Sequence, residues 1–550
     1  MESKQLAGFK KWGTLITLSL ALAIIIIDGT VLNVSTRNII LDLHTDLKSI
    51  QWAITLYSLV VAALTITGGR LGDLFGRKRM FVLGASIFTF GSFLTSISPN
   101  VGILIIGWSI IEGVGAALMM PATAALLISN FHGKERAFAF GVWGGIAGAA
   151  AAFGPILGGF LTTNYGWNWA FRINIFVAII LIAGTFIIKE SRDVTHRPQL
   201  DLIGVLLSAL GLGSVIYGII ESSTYGWLNE KLPYDFNGAS YDLFGLSISL
   251  YTIILGLIIL CLFFVWENYR EKKELQPLLS LGIFKNRQFS SGLFTTGALA
   301  LGQSGLIFAI PVFFQSVKGR DAFQTGLALL PLSLSLLIAA PISGILSSRF
   351  KPKTLIQFGI ILNLIGAILI YLGLSLDADI INLAPGQILF GAGFGFVSAQ
   401  ISNLTLSAVD VKKIGEASGV NSMIRQLGAS LGAALIGAIF LSSFTATFTT
   451  GVNDSNLNSY NKQDLITKVN KDSSQFQYAS DNGNPKIFDI EQENIRAVIK
   501  KVSDQSTVNG AKQAQIYVAL FTIICLIISF SLPSIKKVHK DTKILDQEKN

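Results

Sequence analysis

The sequence predicts an all-α polytopic membrane protein, and three features of its composition carry that prediction. Of its 550 residues, 51% are hydrophobic and only 14% are charged, whereas about 25% of an ordinary soluble domain is charged. The mean hydropathy is +0.59, which disfavours a soluble fold. Glycine, with 54 residues, exceeds the usual ~7%, as expected where helices pack in lipid through small residues. The two cysteines lie in apolar runs, so neither a disulfide framework nor a metal cluster is indicated.

Fourteen stretches are long and apolar enough to cross a membrane, which takes about 20 residues each. They begin near residues 12, 50, 80, 101, 137, 169, 202, 244, 289, 323, 354, 383, 415 and 514. We expect the first to be a retained helix rather than a cleaved signal peptide. Its apolar run is too long for one, and no small-residue cleavage site follows it promptly.

The distribution of Lys and Arg predicts the orientation of these spans. The loops on the side of both termini carry 27 Lys and Arg, whereas the short loops of the other side carry 5. A long loop on that other side adds 8, but long loops cross the membrane largely regardless of charge. The sequence therefore predicts a multi-pass protein of the plasma or inner membrane with both termini in the cytoplasm. The net charge of +9 then reflects topology, and we expect no nucleic acid and no obligatory protein partner.

Two polar breaks, at 189–201 and 267–289, divide the spans into six, two and six. The polar loop between the last two spans favours a short hairpin or helix over the outer mouth or, equally, a disordered tether. The predicted organisation is an N-terminal six-helix bundle at 1–190, a linker with an inserted helix pair at 191–288, and a C-terminal six-helix bundle at 289–540 with the outer loop at 446–513.

The segment GGRLGDLFGRKRMF, residues 68–81, joins spans two and three on the predicted cytoplasmic side. Gly69 and Gly76 permit a tight turn and close helix approach. Asp73 beside Arg77 can form an ion pair that breaks and re-forms. On charge alone, a basic loop that only sets topology is the favoured interpretation of the segment.

This segment closely resembles the G-x-L-x-D-x-x-G-R-[RK] signature of the major facilitator superfamily, with Leu74 where a basic residue is common. The resemblance implies the major facilitator fold, in which two six-helix bundles enclose a midplane site and rock about it. It also implies that Asp73 pairs with an arginine near the next cytoplasmic loop, for which Arg136 is the match. Such a pair acts as a latch between the bundles.

Span five contains GVWGGIAGAAAAFGPILGG, residues 141–159. Gly154 and Gly158 stand at i, i+4 spacing and let a neighbouring helix approach, while Pro155 removes a backbone hydrogen bond and bends the span. Helix packing alone accounts for such a pattern. However, Gly154-Pro155 and Gly158-Gly159 resemble the antiporter motif of the family, which favours exchange over uptake.

Two further segments narrow the resemblance. GWNWAFRINI at 166–175 and GEASGVNSMIRQLGASLGAA at 415–434 are similar to the fourteen-span drug:proton antiporters, the quaternary-ammonium and multidrug exporters. The resemblance covers essentially the whole membrane part and leaves only the outer loop outside.

Asp28 follows four isoleucines in ALAIIIIDGTVLNVSTR, residues 21–37. An ionised carboxylate is costly in hydrocarbon, so it is retained where it faces a cavity, pairs with a cation, or spends part of a cycle protonated. The segment also resembles the first-helix motif D-x-T-x-x-N-x-A of the fourteen-span family, with Asp28, Thr30 and Asn33 matching. The resemblance implies a coupling role for Asp28 and cavity lining by Thr30 and Asn33. The alternative is a structural acid paired with Arg37.

Span four supplies a second acid in GWSIIEGVGAALMMPA. Where the family usually has an arginine three residues before a glutamine, this chain has Ser109 and Glu112, so the usual basic partner is absent. Glu112 lies about ten residues, or ~15 Å, from the outer end of its helix, and we expect it close to Asp28. Two neighbouring carboxylates do not both stay ionised cheaply, so the pair would bind either a proton or an organic cation. Alternatively, Glu112 only hydrogen-bonds a neighbouring helix.

Polar residues of the second bundle are candidates for cavity lining by family analogy, namely Gln303, Gln387, Gln400 and Asn403, together with Ser109 of the first. Arg425 is predicted to be structural, because its segment carries the close-packing pair Gly428 and Gly432.

The sequence predicts a proton-coupled secondary exporter of lipophilic or cationic drugs that works by alternating access. No phosphate-binding loop or metal constellation is apparent, so we expect no enzyme activity and no cofactor, with the proton-motive force as energy source. Three alternatives stay open. They are an exporter of an endogenous lipid or metabolite, a proton-coupled nutrient symporter, and a non-transporting sensor that uses its outer loop.

Overall fold

The computed structural model describes residues 2–45, 47–190, 201–231, 233–236, 239–241, 244–273, 275, 277–320, 322–410, 413–471 and 493–533. Long apolar helices dominate this part of the chain, as predicted from composition. The side chains of Asn33, Arg37 and Pro155 lie outside the described set, so the expectations placed on them stay predictions.

The helices follow the apolar stretches closely. The first eight are α1 (Glu2–Asp42), α2 (Leu47–Phe75), α3 (Arg77–Ser96), α4 (Val101–Leu104), α5 (Gly113–Asn130), α6 (Gly133–Tyr165), α7 (Asn168–Gly184) and α8 (Leu202–Tyr225). A π-helical segment, Ile105–Glu112, joins α4 to α5 without a break, and a 3₁₀ turn, Thr185–Ile187, follows α7.

The remaining helices are α9 (Ile248–Lys272), α10 (Arg287–Ser316), α11 (Ala322–Ala328), α12 (Leu330–Leu346), α13 (Pro352–Gly373), α14 (Ile380–Leu406), α15 (Ile414–Asn453), α16 (Ser459–Lys471) and α17 (Glu493–Ser529), with a short 3₁₀ helix at Leu281–Lys285. Two short strands, β1 (Tyr234–Phe236) and β2 (Ala239–Tyr241), pair antiparallel between α8 and α9. The sequence analysis did not predict this hairpin.

Twelve helices of the described chain are long and apolar enough to cross a membrane. Two further apolar stretches, Phe138–Ala147 and Leu330–Leu346, are shorter. They correspond to predicted spans five and ten, so the count of fourteen stays a prediction.

The helices form two groups with the inserted pair between them in sequence. Helices α1–α5 and α7 pack mainly within the first group, and α10 and α12–α17 pack mainly within the second. The two groups meet where α2 packs on α15 and where α6 packs on α11, α12 and α14. In the inserted pair, α8 contacts α2 and α15, whereas α9 packs mainly on α8. The predicted boundaries at 190 and 288 and the rigid-body motion of the two groups stay predictions.

The ends of the helices define two faces of the molecule. We call the end where α2 meets α3 the Asp73 face; there the backbone amide of Lys78 donates to Glu190 Oε1 at 3.0 Å and that of Ser280 donates to Glu416 Oε2 at 3.1 Å. The helices alternate in direction from this face.

We call the opposite end the Trp167 face. There Trp167 Nε1 donates to Asp42 Oδ2 at 3.0 Å, which joins the end of α1 to the start of α7. In the second group, Lys318 Nζ donates to the carbonyl of Leu376 at 2.7 Å, which joins the ends of α10 and α13.

The region predicted as an outer loop is largely helical in the part described. Helix α15 continues to Asn453, α16 packs on it, and α17 begins at Glu493. Phe448, Leu465 and Ile499 are buried together in the core of the second group. The described ends of the predicted loop therefore extend the second bundle beyond the length of a bilayer span.

Candidate functional site

Asp28 points into the first helix group rather than toward lipid. Its side chain is 2% exposed. Trp108 Nε1 donates to Oδ2 at 2.8 Å, and Asn174 Nδ2 donates to Oδ1 at 2.7 Å. Ile24 and Ile25 are buried beside it. Each carboxylate oxygen thus has a donor from another helix, which offsets the desolvation of a charge in this interior.

Glu112 lies against Asp28, as the depth argument predicted. It ends the π-helical segment Ile105–Glu112, is fully buried, and its carboxyl group lies next to that of Asp28. Thr95 Oγ1 donates weakly to Glu112 Oε1 at 3.5 Å, whereas Oε2 has no donor among the described residues. Because a carboxylate cannot donate, this contact is favourable only when one of the two acids carries a proton.

Aromatic rings enclose the acid pair on one side. Tyr57 stacks on Trp108, with ring centroids 4.8 Å apart and planes inclined by 2°, and Phe171 meets Trp108 edge to face at 6.4 Å. An organic cation is attracted both by a carboxylate and by the faces of such rings. In this conformation all of these groups are buried, so access to them requires a different arrangement of the helices.

Glycines bring the site helices together. A Cβ added at Gly91 of α3 would lie 2.5 Å from Glu112 Cγ and 2.6 Å from the carbonyl oxygen of Gly107. On α6, Gly154 abuts Thr30, and a Cβ at Gly158 would lie 3.1 Å from Val31 Cγ1. Gly159 is buried as well. The antiporter-like segment is therefore the face that packs on α1 next to Asp28, and the α6 backbone stays helical through position 155.

Asp73 bridges the two helix groups at the Asp73 face. Its carboxylate is buried, receives a 2.8 Å hydrogen bond from Arg77 Nη2, and accepts from the backbone amides of Gly415 at 3.1 Å and Glu416 at 3.0 Å. A carboxylate at the first amides of α15 matches the positive end of that helix dipole.

Two more contacts complete this bridge, which we call the latch. Arg70 Nη1 donates to Glu416 Oε1 at 2.8 Å across the same interface, and Gly69 packs directly on the backbone of Gly415. Gly76 turns the chain between α2 and α3 at φ +108°, where an added Cβ would lie 2.8 Å from Glu190 Oε2.

Arg136 and Arg425 both lie where the helix groups meet. Arg136 Nε donates to Asn403 Oδ1 at 2.9 Å, so the pairing predicted between Arg136 and Asp73 stays a prediction. Arg425 stands 5.9 Å from the ring centroid of Trp143 and reaches Met120 Sδ at 3.6 Å. Both contacts cross from α15 to the first group, and the structural role expected of Arg425 stays a prediction.

The remaining predicted cavity residues have varied surroundings. Ser109 Oγ donates to the carbonyl of Ala53 at 2.7 Å, and Gln400 Nε2 donates to the Ser343 carbonyl at 2.9 Å. Gln387 is fully buried, and neither of its amide atoms has a partner among the described residues. Gln303 lines a small cavity of the second group, far along the chain from the acid pair.

Sequence reasoning did not single out Trp108, Asn174 and Tyr57. Trp108 stands four residues before Glu112, and Asn174 lies inside the quoted segment 166–175. For Trp108, the available signal was an amphipathic side chain one helical turn from a recognised acid, and for Asn174 it was a polar side chain inside an apolar run.

Comparisons with known proteins agree with this architecture. Residues 18–228 and 201–433 match the sequence profile described as Major Facilitator Superfamily. Among curated proteins, the chain is 30% identical over 428 residues to the puromycin resistance protein of Streptomyces alboniger, covering 76% of this chain and 80% of that protein. It is 28% identical over 426 residues to the tetracenomycin C resistance and export protein of Streptomyces glaucescens, covering 76% and 74%.

Among solved structures, the fold is similar to that of the human organic anion transporter MFSD10, with a TM-score of 0.56 at 10% identity over 94% of this chain and 99% of that one. It is similar to the proton:xylose symporter XylE, again with a TM-score of 0.56, at 12% identity over 98% and 99%. At such identities the likeness concerns the fold alone.

Proposed function

Because this chain belongs to the Major Facilitator Superfamily, we propose that it is a proton-coupled antiporter that exports lipophilic or cationic drugs, or related compounds, by alternating access. Its relatives named above are resistance and export proteins, which supports export of such compounds. Transporters of this superfamily are generally not enzymes. The proposed energy source is the proton-motive force, with no cofactor.

The contact between Asp28 and Glu112 is the observation that carries the proposal. Two buried acids in contact share a proton readily, because their doubly ionised form is repulsive. Trp108 and Asn174 each donate to Asp28 and hold its carboxylate in place. In the proposed mechanism the proton lies between Asp28 and Glu112.

Exchange follows from competition at this pair. When the helix groups part, a cation entering between the aromatic rings and the carboxylates replaces the attraction that the proton supplied. Release of the cargo on the other side leaves two like charges that take up a proton again. Coupling of the two flows needs no contact specific to one substrate, which fits a broad range of cargo.

The available energy is adequate for export. One proton moving down ~150 mV supplies ~3.5 kcal/mol, at ~2.3 kcal/mol per charge per 100 mV. That energy corresponds to a gradient of roughly a few hundredfold for a neutral cargo.

We propose that the Asp73 face is cytoplasmic, because the loops of that face carry most of the Lys and Arg and basic loops are retained inside. Both termini then lie in the cytoplasm of a cell whose plasma or inner membrane holds the protein. In this arrangement the latch closes the cytoplasmic side, and the conformation seen here is closed toward that side.

Dye efflux from everted vesicles with an imposed pH gradient tests the proposal. Wild type is compared with Asp28→Asn and Glu112→Gln, and we expect both variants to lose the dependence of efflux on the gradient. Asp42→Asn is the matched control, because Asp42 lies on the same helix but at the Trp167 face, where it accepts from Trp167. We expect wild-type efflux in that control.

Gradient-dependent efflux at the wild-type rate in both site variants would contradict the assignment of the proton to this pair. Equal amounts of monodisperse protein after purification show that the variants fold. Parallel assays with cationic dyes and with total lipid extracts separate drug export from export of an endogenous lipid.

A further inference from the structure

A crevice opens between α13 and α17, away from the acid pair and the latch. Its volume is about 300 Å³, which is at the lower end for ligand pockets. Its walls are almost entirely apolar, and several of the side chains at its rim are exposed on the lipid-facing surface of the helices. It is lined by Ala367, Ile368, Tyr371, Gln515, Ile516, Ala519, Leu520 and Ile523.

The crevice begins at the level of the Trp167 face. Tyr371 stands two residues before the end of α13 on that face, and Lys512 Nζ lies 5.7 Å from the centroid of its ring. Lys512 lies in the middle of α17, just before its apolar stretch begins near residue 514. Tyrosine and lysine at the end of an apolar stretch are typical of the membrane–water interface, where the ring sits among headgroups and the ammonium group reaches phosphate.

A polar group stands one turn deeper. Gln515 lines the crevice, is 1% exposed, and neither its Oε1 nor its Nε2 has a partner among the described residues. It follows Lys512 by three residues, about 4.5 Å along the helix axis. A buried amide without partners indicates a ligand that supplies a hydrogen-bonding group at this depth.

Below Gln515 the crevice is apolar. Ala519 and Ile523 continue the wall of α17 toward the Asp73 face. Ile523 lies eleven residues beyond Lys512, about 16 Å along the axis, which matches half of the ~30 Å hydrocarbon core of a bilayer. Along α17, the crevice therefore presents first a cation, then an amide and then an apolar wall. A phospholipid in one leaflet presents its phosphate, ester and acyl chain in the same order.

We propose that this crevice binds one phospholipid of the leaflet at the Trp167 face. Lys512 contacts the phosphate, Gln515 Nε2 donates to an ester carbonyl, and one acyl chain lies along Ala519 and Ile523. The positive charge of Lys512 disfavours a lipophilic cation at the same place, so the occupant differs in charge from the cargo proposed for the acid pair.

The test uses the full-length protein, purified in detergent and stripped of lipid, with phosphatidylglycerol as the probe. Native mass spectrometry counts bound lipid, and thermal unfolding reports its effect. We expect one tightly retained phosphatidylglycerol per wild-type chain and a rise in Tm on adding it. Lys512→Ala and Gln515→Leu should each weaken that binding at least tenfold.

Two control variants match these changes. Lys501→Ala removes an exposed lysine of the same helix, and Gln387→Leu removes another buried glutamine whose amide has no partner among the described residues. Both should keep wild-type lipid binding. Gln515→Leu replaces an unpaired amide with an apolar group of similar size, so we expect it to fold.

Equal phosphatidylglycerol affinity in wild type, Lys512→Ala and Gln515→Leu would overturn the proposal. Competitive displacement of the lipid by tetraphenylphosphonium, with tighter cation binding in Lys512→Ala, would also overturn it by assigning the crevice to cargo. Lipid retention is measured without transport, so its outcome is independent of the efflux assay.

Discussion

The two helix groups bury different kinds of polar side chain at membrane depth. In the first group, Asp28 is held by two side-chain donors from other helices and contacts a second acid, Glu112. In the second group, Gln387 and Gln515 are buried amides without partners in the described part of the chain. The first group thus buries a pair of acids, one of them held by donors from two helices, whereas the second buries neutral amides.

The largest expected effect comes from removing one of the two hydrogen-bond donors to Asp28. Trp108→Phe keeps an aromatic ring against Tyr57 but removes the Nε1–H donor to Asp28. A hydrogen bond to a charged group contributes about 1.5–3 kcal/mol, so gradient-driven dye efflux should fall by roughly 10–100-fold.

Trp143→Phe is the control for that change. Trp143 is buried, but its Nε1 has no acceptor among the described residues, so its loss should leave efflux within about twofold of wild type. Similar loss of efflux in both variants would show that ring size, and not the donor to Asp28, matters.

Substituting one glycine in each helix group tests how tightly each group is packed. Gly91→Ala should lower the free energy of unfolding by about 1–3 kcal/mol, because the new Cβ overlaps Glu112 and the Gly107 backbone. Gly302→Ala, in the second group, meets nothing closer than 3.8 Å and should raise it by about 0.4–1 kcal/mol, since alanine is the better helix former. Detergent-based thermal unfolding measures both, and equal signs would contradict the difference in packing.

The latch predicts a change in accessibility at the Asp73 face. Asp73→Asn removes the charge that caps α15, so the groups should part more often there. Labelling of Ser418→Cys by a maleimide, in a background without Cys261 and Cys525, should rise about tenfold, which corresponds to about 1.4 kcal/mol. Ser418 is buried against the carbonyl of Pro121 across the interface.

Glu190→Gln serves as the control for the latch. Glu190 accepts from the amides of Lys78 and Arg79 within the first group, so labelling should stay near the wild-type rate. An equal rise in both variants would mean that any loss of charge at this face loosens the protein.

The smallest effect is expected at the Trp167 face. Asp379 pairs with Arg320 and caps α14, with its side chain 56% exposed. Asparagine caps a helix about as well, so Asp379→Asn removes only an exposed ion pair, which contributes less than about 1 kcal/mol. A loss of unfolding free energy above that value would show that the faces are less different than their burial implies.

Helix positions and the meeting of the two acids were predictable from sequence for a physical reason. Spans follow from hydrocarbon thickness, and an acid in an apolar run demands a polar neighbour. The partners themselves were not predictable. From sequence, Trp108 cannot be told from the many aromatic residues that face lipid. The latch partners of Asp73 in α15 are backbone amides, which every residue type except proline provides, so the sequence does not identify them. Helix α16 could not be predicted as a definite element, because its polar residues are compatible with a loop or with a helix.

The π-helical segment before Glu112 has a consequence for comparing this chain with its relatives. A π turn adds one residue to the spacing between successive turns, so side chains beyond Ile105 are rotated from where an α-helical count would put them. Removing a single residue from Ile105–Ile111 would restore regular winding and turn Glu112 away from α1. Counting residues along aligned sequences is therefore unsafe at this point, and a one-residue gap there would mark a transporter with its second acid facing elsewhere.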